Sequence, residues 1–394
     1  MSTSTASISP SLSVPSGTTR ALRVVAGLGG LLFLVGLFVA PQEAWTGYLM
    51  GFMLYVELAL AGAFFLAILT LASARWAAAL RRILEAMATA LPVGGLLALI
   101  LLGGVHTLYE WSHSNVVESD VLLLGKSGYL NVGFFVVRLV VFFTLWILLS
   151  RRMIRASRDQ DTGGGAAAKR RLLFGAVFFL PVFAVTFSLA SVDWLKSLEP
   201  HWFSTIYGLV TLSSLGSAGL AACLIFAILL RRGPLKGIVR PDHLDDLGKI
   251  GMGFALFWGY IWYCQYALIW YTNMPEETPY YFIRSQGGWR LLSWVNVTLN
   301  WGIPFFALMP KFVRRTPRYL LQIAYVMLVG QALNMFMLVG PSQMGGSPHF
   351  SIYEVAPVIG AGALFFLLVL RGLAAAPLVP QAEPDVAESL EYHC

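Results

Sequence analysis

The stretch Ser191–Gly208, SVDWLKSLEPHWFSTIYG, holds Asp193, Glu199 and His201 beside Trp194 and Trp202. Carboxylates and an imidazole so close together can accept and release protons near neutral pH. Long apolar runs on both sides place the group at a membrane–water boundary. Tryptophan favours that boundary because its ring is apolar and its N–H wants a partner, and titratable groups cost less there than at mid-membrane. The alternative reading is an ordinary interfacial turn with an aromatic anchor.

Other polar side chains fall inside apolar runs. Glu57 is the deepest acid, roughly 15 Å into its run at 1.5 Å per residue, which is near mid-bilayer. Burial of a lone carboxylate favours its neutral form, so Glu57 is either a proton-relay group or a protonated acid bonded to a neighbouring helix. Arg138 lies two turns into another run. It stays charged when buried and needs a partner: Glu57, Asp193, Glu110 and Glu354 are candidates. His106, Glu110 and His113 share one face if their helix continues that far. They lack the H-E-x-x-H pattern and an evident third ligand, so a hydrated, proton-accessible patch is expected rather than a metal site. Asn296 with Asn300, and Gln331 with Asn334, make polar faces on two further runs, and Gln265 lies in a third. Such amides glue helices together or support a chain of water. Pro92, Pro181 and Pro304 each free backbone carbonyls within a run.

The elements that must position these groups are membrane helices. Charged residues are 12% and apolar residues 57% of the 394 residues, and mean hydropathy is +0.71; a soluble domain carries about twice that charge fraction. Runs long enough to cross a bilayer occur at 21–40, 47–71, 87–105, 131–150, 172–190, 205–230, 251–271, 293–309, 321–340 and 353–371. The expected fold class is therefore all-α, with about ten transmembrane helices between a polar tail (1–20) and a C-terminal tail (372–394). The first run lacks a clean cleavage site, so it is expected to be a retained helix rather than a signal peptide. Ser73–Thr89 is amphipathic and either lies on the inner surface or extends the third span.

Lysine and arginine alternate by side. Of the 27, 22 fall in the tails and loops 73–86, 151–171, 231–249, 310–318 and at Arg371, against four (Lys126, Lys196, Arg284, Arg290) on the other side. The positive-inside rule then puts both termini in the cytoplasm and the signature stretch outside. This alternation also explains the net charge of +7 without nucleic acid, whose footprint would cluster on one soluble face.

Redox ligands are missing. No histidine lies centrally in a run, as an axial haem ligand would. There is no C-x-x-C or four-cysteine set among Cys223, Cys264 and Cys394, and Gly163–Gly165 lacks the Lys-Ser/Thr of a phosphate loop.

The signature stretch closely resembles the DW-x-x-SLEPHWFST segment of the integral-membrane subunits of alternative complex III, a bacterial quinol:cytochrome c oxidoreductase. These subunits belong to the NrfD-like family. Lys126–Arg138 (KSGYLNVGFFVVR), His243–Lys249 (HLDDLGK) and Phe257–Pro279 (FWGYIWYCQYALIWYTNMPEETP) are similar to further family blocks, and the last is closest to the ActF branch. The resemblance implies two four-helix bundles, about 47–190 and 205–340, with the first and last spans peripheral. It implies a multi-pass protein of the bacterial inner membrane. Its implied partners are a paralogous NrfD-like membrane subunit, an iron–sulfur/molybdopterin-like periplasmic subunit, and multihaem and monohaem cytochrome c subunits, all in contact with the lipid bilayer. Haem c and iron–sulfur clusters belong to those partners, and this chain is expected to bind no redox cofactor. The expected role is scaffolding with proton transfer through Glu57 to Asp193, His201, Glu110 and His106. Two alternatives are a chain that itself binds and oxidises quinol at the outer face, with Asp193 or His201 as proton acceptor near Arg138, and a stand-alone secondary transporter.

Overall fold

The computed structural model describes residues 12–380 and 384–392. Most of the expected N-terminal tail (1–11) and residues 381–383, 393 and Cys394 of the C-terminal tail lie outside the described residues. The protein is 82% helical, with no strand among the described residues. A helix satisfies its own backbone within one segment, as crossing hydrocarbon demands.

The main helices are α1 (Ser16–Val39), α2 (Pro41–Leu71), α3 (Arg81–Ala88), α4 (Leu91–Leu101), α5 (Val132–Asp159), α6 (Gly165–Trp194) and α7 (Tyr207–Arg231). They continue with α8 (Pro241–Thr272), α9 (Gly287–Val297), α10 (Ile303–Leu308), α11 (Pro317–Met344), α12 (Ile352–Ala374) and α13 (Pro384–Glu391). Proline opens α2, α4, α8, α10 and α11 within their first two positions, where its missing N–H costs nothing. The third span is broken by Pro92 into α3 and α4. The amphipathic stretch before it does not lie free on the surface: it forms a 3-10 turn and α3, packed between α2 and α12.

Nine segments of the described chain are both long and apolar enough to span a membrane, one fewer than expected. The missing one is α8, whose length is sufficient but whose outer half carries Trp, Tyr and Gln265. Its two ends still reach both ends of the protein. Asp245 near its start bonds Arg314 at the basic end, and Gln265 faces Ser204 of the signature loop.

Two helices organise the rest. Eighty-nine per cent of the apolar window of α2, and the same share of that of α7, is buried inside the protein. They pack on each other at the centre. Helices α4, α5 and α6 gather around α2, while α8 and α11 pack on α7 and α10 packs against α8 and α11. Helices α1 and α12 pair against the flank of α2. An all-apolar helix needs such all-round cover from other helices. Small residues set the closest approaches: a Cβ at Gly219 would lie 2.1 Å from the Ala61 Cβ, and one at Gly29 would lie 2.6 Å from the Gly360 backbone.

Gly219→Ala should therefore force α7 off α2. A loss of about 1–3 kcal/mol is expected from overpacking, read as a lower melting temperature in detergent. Gly27→Ala, where the added Cβ meets nothing within 4 Å, should be neutral by comparison.

Candidate functional site

The signature stretch forms a loop clamped to the two helix groups by two matching ion pairs. Helix α6 ends at Trp194, and Asp193 accepts a hydrogen bond from Arg138 Nε at 2.7 Å. Arg138 Nη1 donates to the Tyr129 carbonyl at 2.9 Å, and the guanidinium sits 3.9 Å from the centre of the Tyr129 ring. Six residues further along the loop, Glu199 accepts from Arg284 Nη2 at 2.8 Å. Arg284 Nη1 donates to the Tyr280 carbonyl at 2.8 Å, and its guanidinium lies 3.5 Å from the Tyr280 ring centre. Each pair thus combines a carboxylate from the loop, a guanidinium, and a tyrosine that offers both its carbonyl and its ring face. The sequence left the partner of Arg138 open among four acids; the fold selects Asp193. Arg284 was visible only as one of four outer cations, and its spacing of four from Tyr280 was the signal for the second clamp.

The motif residues explain one another through this loop. Asn131 caps α5 by accepting from the Phe134 N–H at 2.8 Å, which sets the helix that carries Arg138. Lys126 donates to the Pro200 carbonyl at 2.6 Å and Lys196 to the Trp202 carbonyl at 3.0 Å. Trp202 stacks on Tyr280 at 3.9 Å. His201 does not join Asp193. It reaches Asp120 at 2.6 Å on the exposed surface. That bond, with two backbone N–H groups, holds the Asp120 carboxyl below the usual aspartate range.

His106 and Glu110 sit beside the loop without entering it. The helix ends at Leu108, and Tyr109 is extended, so the helical face expected for His106, Glu110 and His113 does not form. A turn instead brings His113 Nε2 to the His106 carbonyl at 2.8 Å, and Glu110 is exposed. No three His, Cys, Asp or Glu side chains group as a metal set among the described residues.

Glu57 is separate from Asp193. Trp194 packs against Phe52 at 5.2 Å and Phe143 at 5.9 Å. Glu57 lies on another face of α2, one turn outward from Ala61, which abuts α7. It is fully buried, and neither carboxyl oxygen has a hydrogen-bond partner. A ladder of side chains occupies the same depth in the second helix group. Asn334 donates to Ser214 of α7 at 2.8 Å and accepts from Asn296 at 3.2 Å. Asn300 donates to Asn296 Oδ1 at 2.8 Å and accepts from Gln331 at 2.8 Å. A π turn, Thr298–Gly302, swings Asn300 inward, and Gly330 leaves room for it: a Cβ there would lie 2.8 Å from Asn300 Oδ1. Gln331 Oε1 and Ser217 Oγ, both buried, have no partner. Four of the five amides named from the sequence are thus brought into one network, while Gln265 instead meets Ser204.

At the basic end, buried carboxylates are neutralised within each group. Glu85 is met by Arg82 at 2.6 Å and by Ser157. Asp245 is met by Arg314 at 2.7 Å, whose Nη1 also caps the Leu308 and Met309 carbonyls of α10. The HLDDLGK block supplies Asp245 to this end, a contact that its spacing alone does not reveal.

No protein-family model matches the chain, and no curated protein is significantly similar to it.

Asp193→Asn should leave the buried Arg138 charge uncompensated and cost about 3–5 kcal/mol, while Lys126→Ala should cost about 1 kcal/mol. Thermal unfolding in detergent ranks the two. A weaker effect from Asp193→Asn than from Lys126→Ala would sink the clamp. The Asp120 tie has the opposite pH sense to a histidine lock. Because the folded carboxyl titrates below its unfolded value, its contribution is present above the usual aspartate range and vanishes as pH falls through the folded value. Hydrogen exchange of residues 114–131 should be pH-insensitive in protection down to that range and rise only below it.

Proposed function

We propose that this chain is a non-redox membrane subunit of a quinol:cytochrome c oxidoreductase of the alternative complex III type. It holds partner subunits in register and passes protons through Glu57. The proposed partners are the paralogous NrfD-like membrane subunit, the iron–sulfur/molybdopterin-like periplasmic subunit and the cytochrome c subunits. Those proteins carry the electrons, and quinol or quinone is the mobile reductant of the assembly. The proposed setting is a bacterial inner membrane with the clamped loop on the periplasmic side.

The observation that carries the proton role is the state of Glu57: a titratable group buried among central helices with both oxygens unbonded. A purely structural acid would be expected to have found a partner, because buried polar groups left unpaired are costly. A relay acid must instead exchange partners as it gains and loses its proton. The amide and hydroxyl ladder from Ser214 to Gln331 supplies donors and acceptors at the same depth. Water between Glu57 and the open positions on Ser217 and Gln331 would complete a path. Asp193, already engaged by Arg138, is read as a clamp rather than as a proton acceptor, which weighs against quinol oxidation at that carboxylate. The family assignment rests on the four motifs. Its support is that the YLN block and the signature stretch, far apart in sequence, supply both sides of the Arg138 clamp, and that the same stretch offers Glu199 to Arg284 just beyond the PEET block.

Glu57→Gln in the assembled complex tests the reading. Electron transfer to cytochrome c with the proton gradient collapsed should survive, while protons released per electron in sealed vesicles should fall. Unchanged proton yield would overturn the relay. A mild-detergent pull-down tests the complex separately: haem-bearing and iron–sulfur partners are expected, and a lone haem-free polypeptide would overturn the assignment.

A further inference from the structure

We propose that the hairpin of α5 and α6 carries a built site for an anionic phospholipid headgroup at the basic end of the protein. Helix α5 presents Val137, Val141 and Leu148 outward along one stripe, each about half exposed. The same stripe continues into Arg151, Arg152 and Arg155, all exposed, while Met153, Ile154, Ala156 and Ser157 on the other side are buried. On α6 the outward stripe of Val177, Phe178 and Phe174 ends in Arg170, also exposed. Two neighbouring lipid-facing stripes therefore end in arginines at the depth where hydrocarbon gives way to headgroups.

Pairing separates these arginines from their neighbours. Arg158 approaches Glu85 at 3.7 Å, Arg171 holds Asp159 at 2.9 Å, and Arg82 takes Asp161. Both acids of the connecting loop are thus engaged. Arg151, Arg152, Arg155 and Arg170 have no carboxylate partner among the described residues. Arg155 is one turn from both Arg151 and Arg152, so the three repel one another on one face. An anion is the complement they lack.

The register of the hairpin arranges the four in two tiers. Met153 packs where a Cβ on Gly175 would sit, at 2.9 Å, so Arg170 lies level with about position 158 of α5. The tier of Arg151 and Arg152 and the tier of Arg170 are then about 9 Å apart along the axis, with Arg155 between. Guanidinium binds phosphate bidentately, and long arginine stems can snorkel to reach it. Two tiers favour a lipid with two phosphates, of the cardiolipin class, over one with a single phosphate.

The protein, in whatever assembly it is extracted, is delipidated and exposed to mixed micelles of phosphatidylcholine alone, with phosphatidylglycerol, or with cardiolipin. Bound lipid is read by native mass spectrometry. Cardiolipin should be retained most strongly. Neutralising Arg151, Arg152, Arg155 or Arg170 to Gln should each weaken it by about fivefold. Arg→Lys at the same positions keeps the charge and should retain most of the binding, which separates charge loss from misfolding. Equal uptake of all three lipids would overturn the proposal. So would cardiolipin binding that the Gln variants leave unchanged, or displacement of the lipid by inorganic phosphate at matched ionic strength. If the Gln variants lose lipid only because an acidic partner protein leaves with it, the site belongs to that partner and the lipid proposal falls.

Discussion

A charged side chain at membrane depth must be paired, and the way this chain pairs its guanidinium groups fixes much of its outer architecture. Arg138 and Arg284 belong to different helix groups, yet both are closed by carboxylates of one loop. Each guanidinium is also bonded to the carbonyl of a tyrosine and lies on its ring. Coulomb attraction, a charge-assisted hydrogen bond and a cation–π contact then act on the same atoms. The loop consequently works as a bridge, with Asp193 tied to α5 and Glu199 to the short helix Pro279–Arg284. Lysines at 126 and 196 hold the loop backbone between them. Breaking one partner leaves a buried charge behind, which is why such a pair constrains geometry more strongly than it adds net stability.

Glu57 is the exception in this arrangement. Every other buried acid of the described helices that faces a cation is engaged: Asp193, Glu85 and Asp245 each meet a guanidinium. Glu57 meets none, on one of the two most deeply covered helices among the described residues. The polar surface level with it belongs to α7, α9 and α11. The proton reading thus moves from the first helix group toward the second, where a π turn and a glycine let four amides converge.

The basic end repeats the logic of the outer end with different parts. Glu85 and Asp245 sit one in each helix group and are closed by arginines, of which Arg314 also satisfies the end of α10. Helix α13 covers this end: Ser389 is buried and donates to the Trp76 carbonyl at 2.6 Å, while Tyr392 reaches Asp246. Buried charge at this end is paired, whereas the unpaired Arg151, Arg152, Arg155 and Arg170 lie exposed on the outward side of α5 and α6.

Much of this was legible in the sequence, for physical reasons. The class of fold follows from run lengths, because hydrocarbon admits only self-satisfied helices. The depth of Glu57 follows from counting residues, and Arg138 had to have a partner. The sequence offered 251–271 as a span on its apolar run, but the polar start and aromatic outer half of α8 leave that helix outside the nine described segments apolar enough to cross. What it could not determine was which acid meets which cation. Arg138 and Asp193 are far apart along the chain, as are Arg284 and Glu199, and spacing rules reach only a turn or two of helix. Nor could it foresee that His106, Glu110 and His113 leave the helix, since Tyr109 breaks it by adopting an extended backbone. The sequence determined which polar groups enter the membrane. Only tertiary packing decided which of them are neutralised and that Glu57, unlike the other buried acids of the described residues, is left without a partner, because pairing depends on distances that form when separate helices meet.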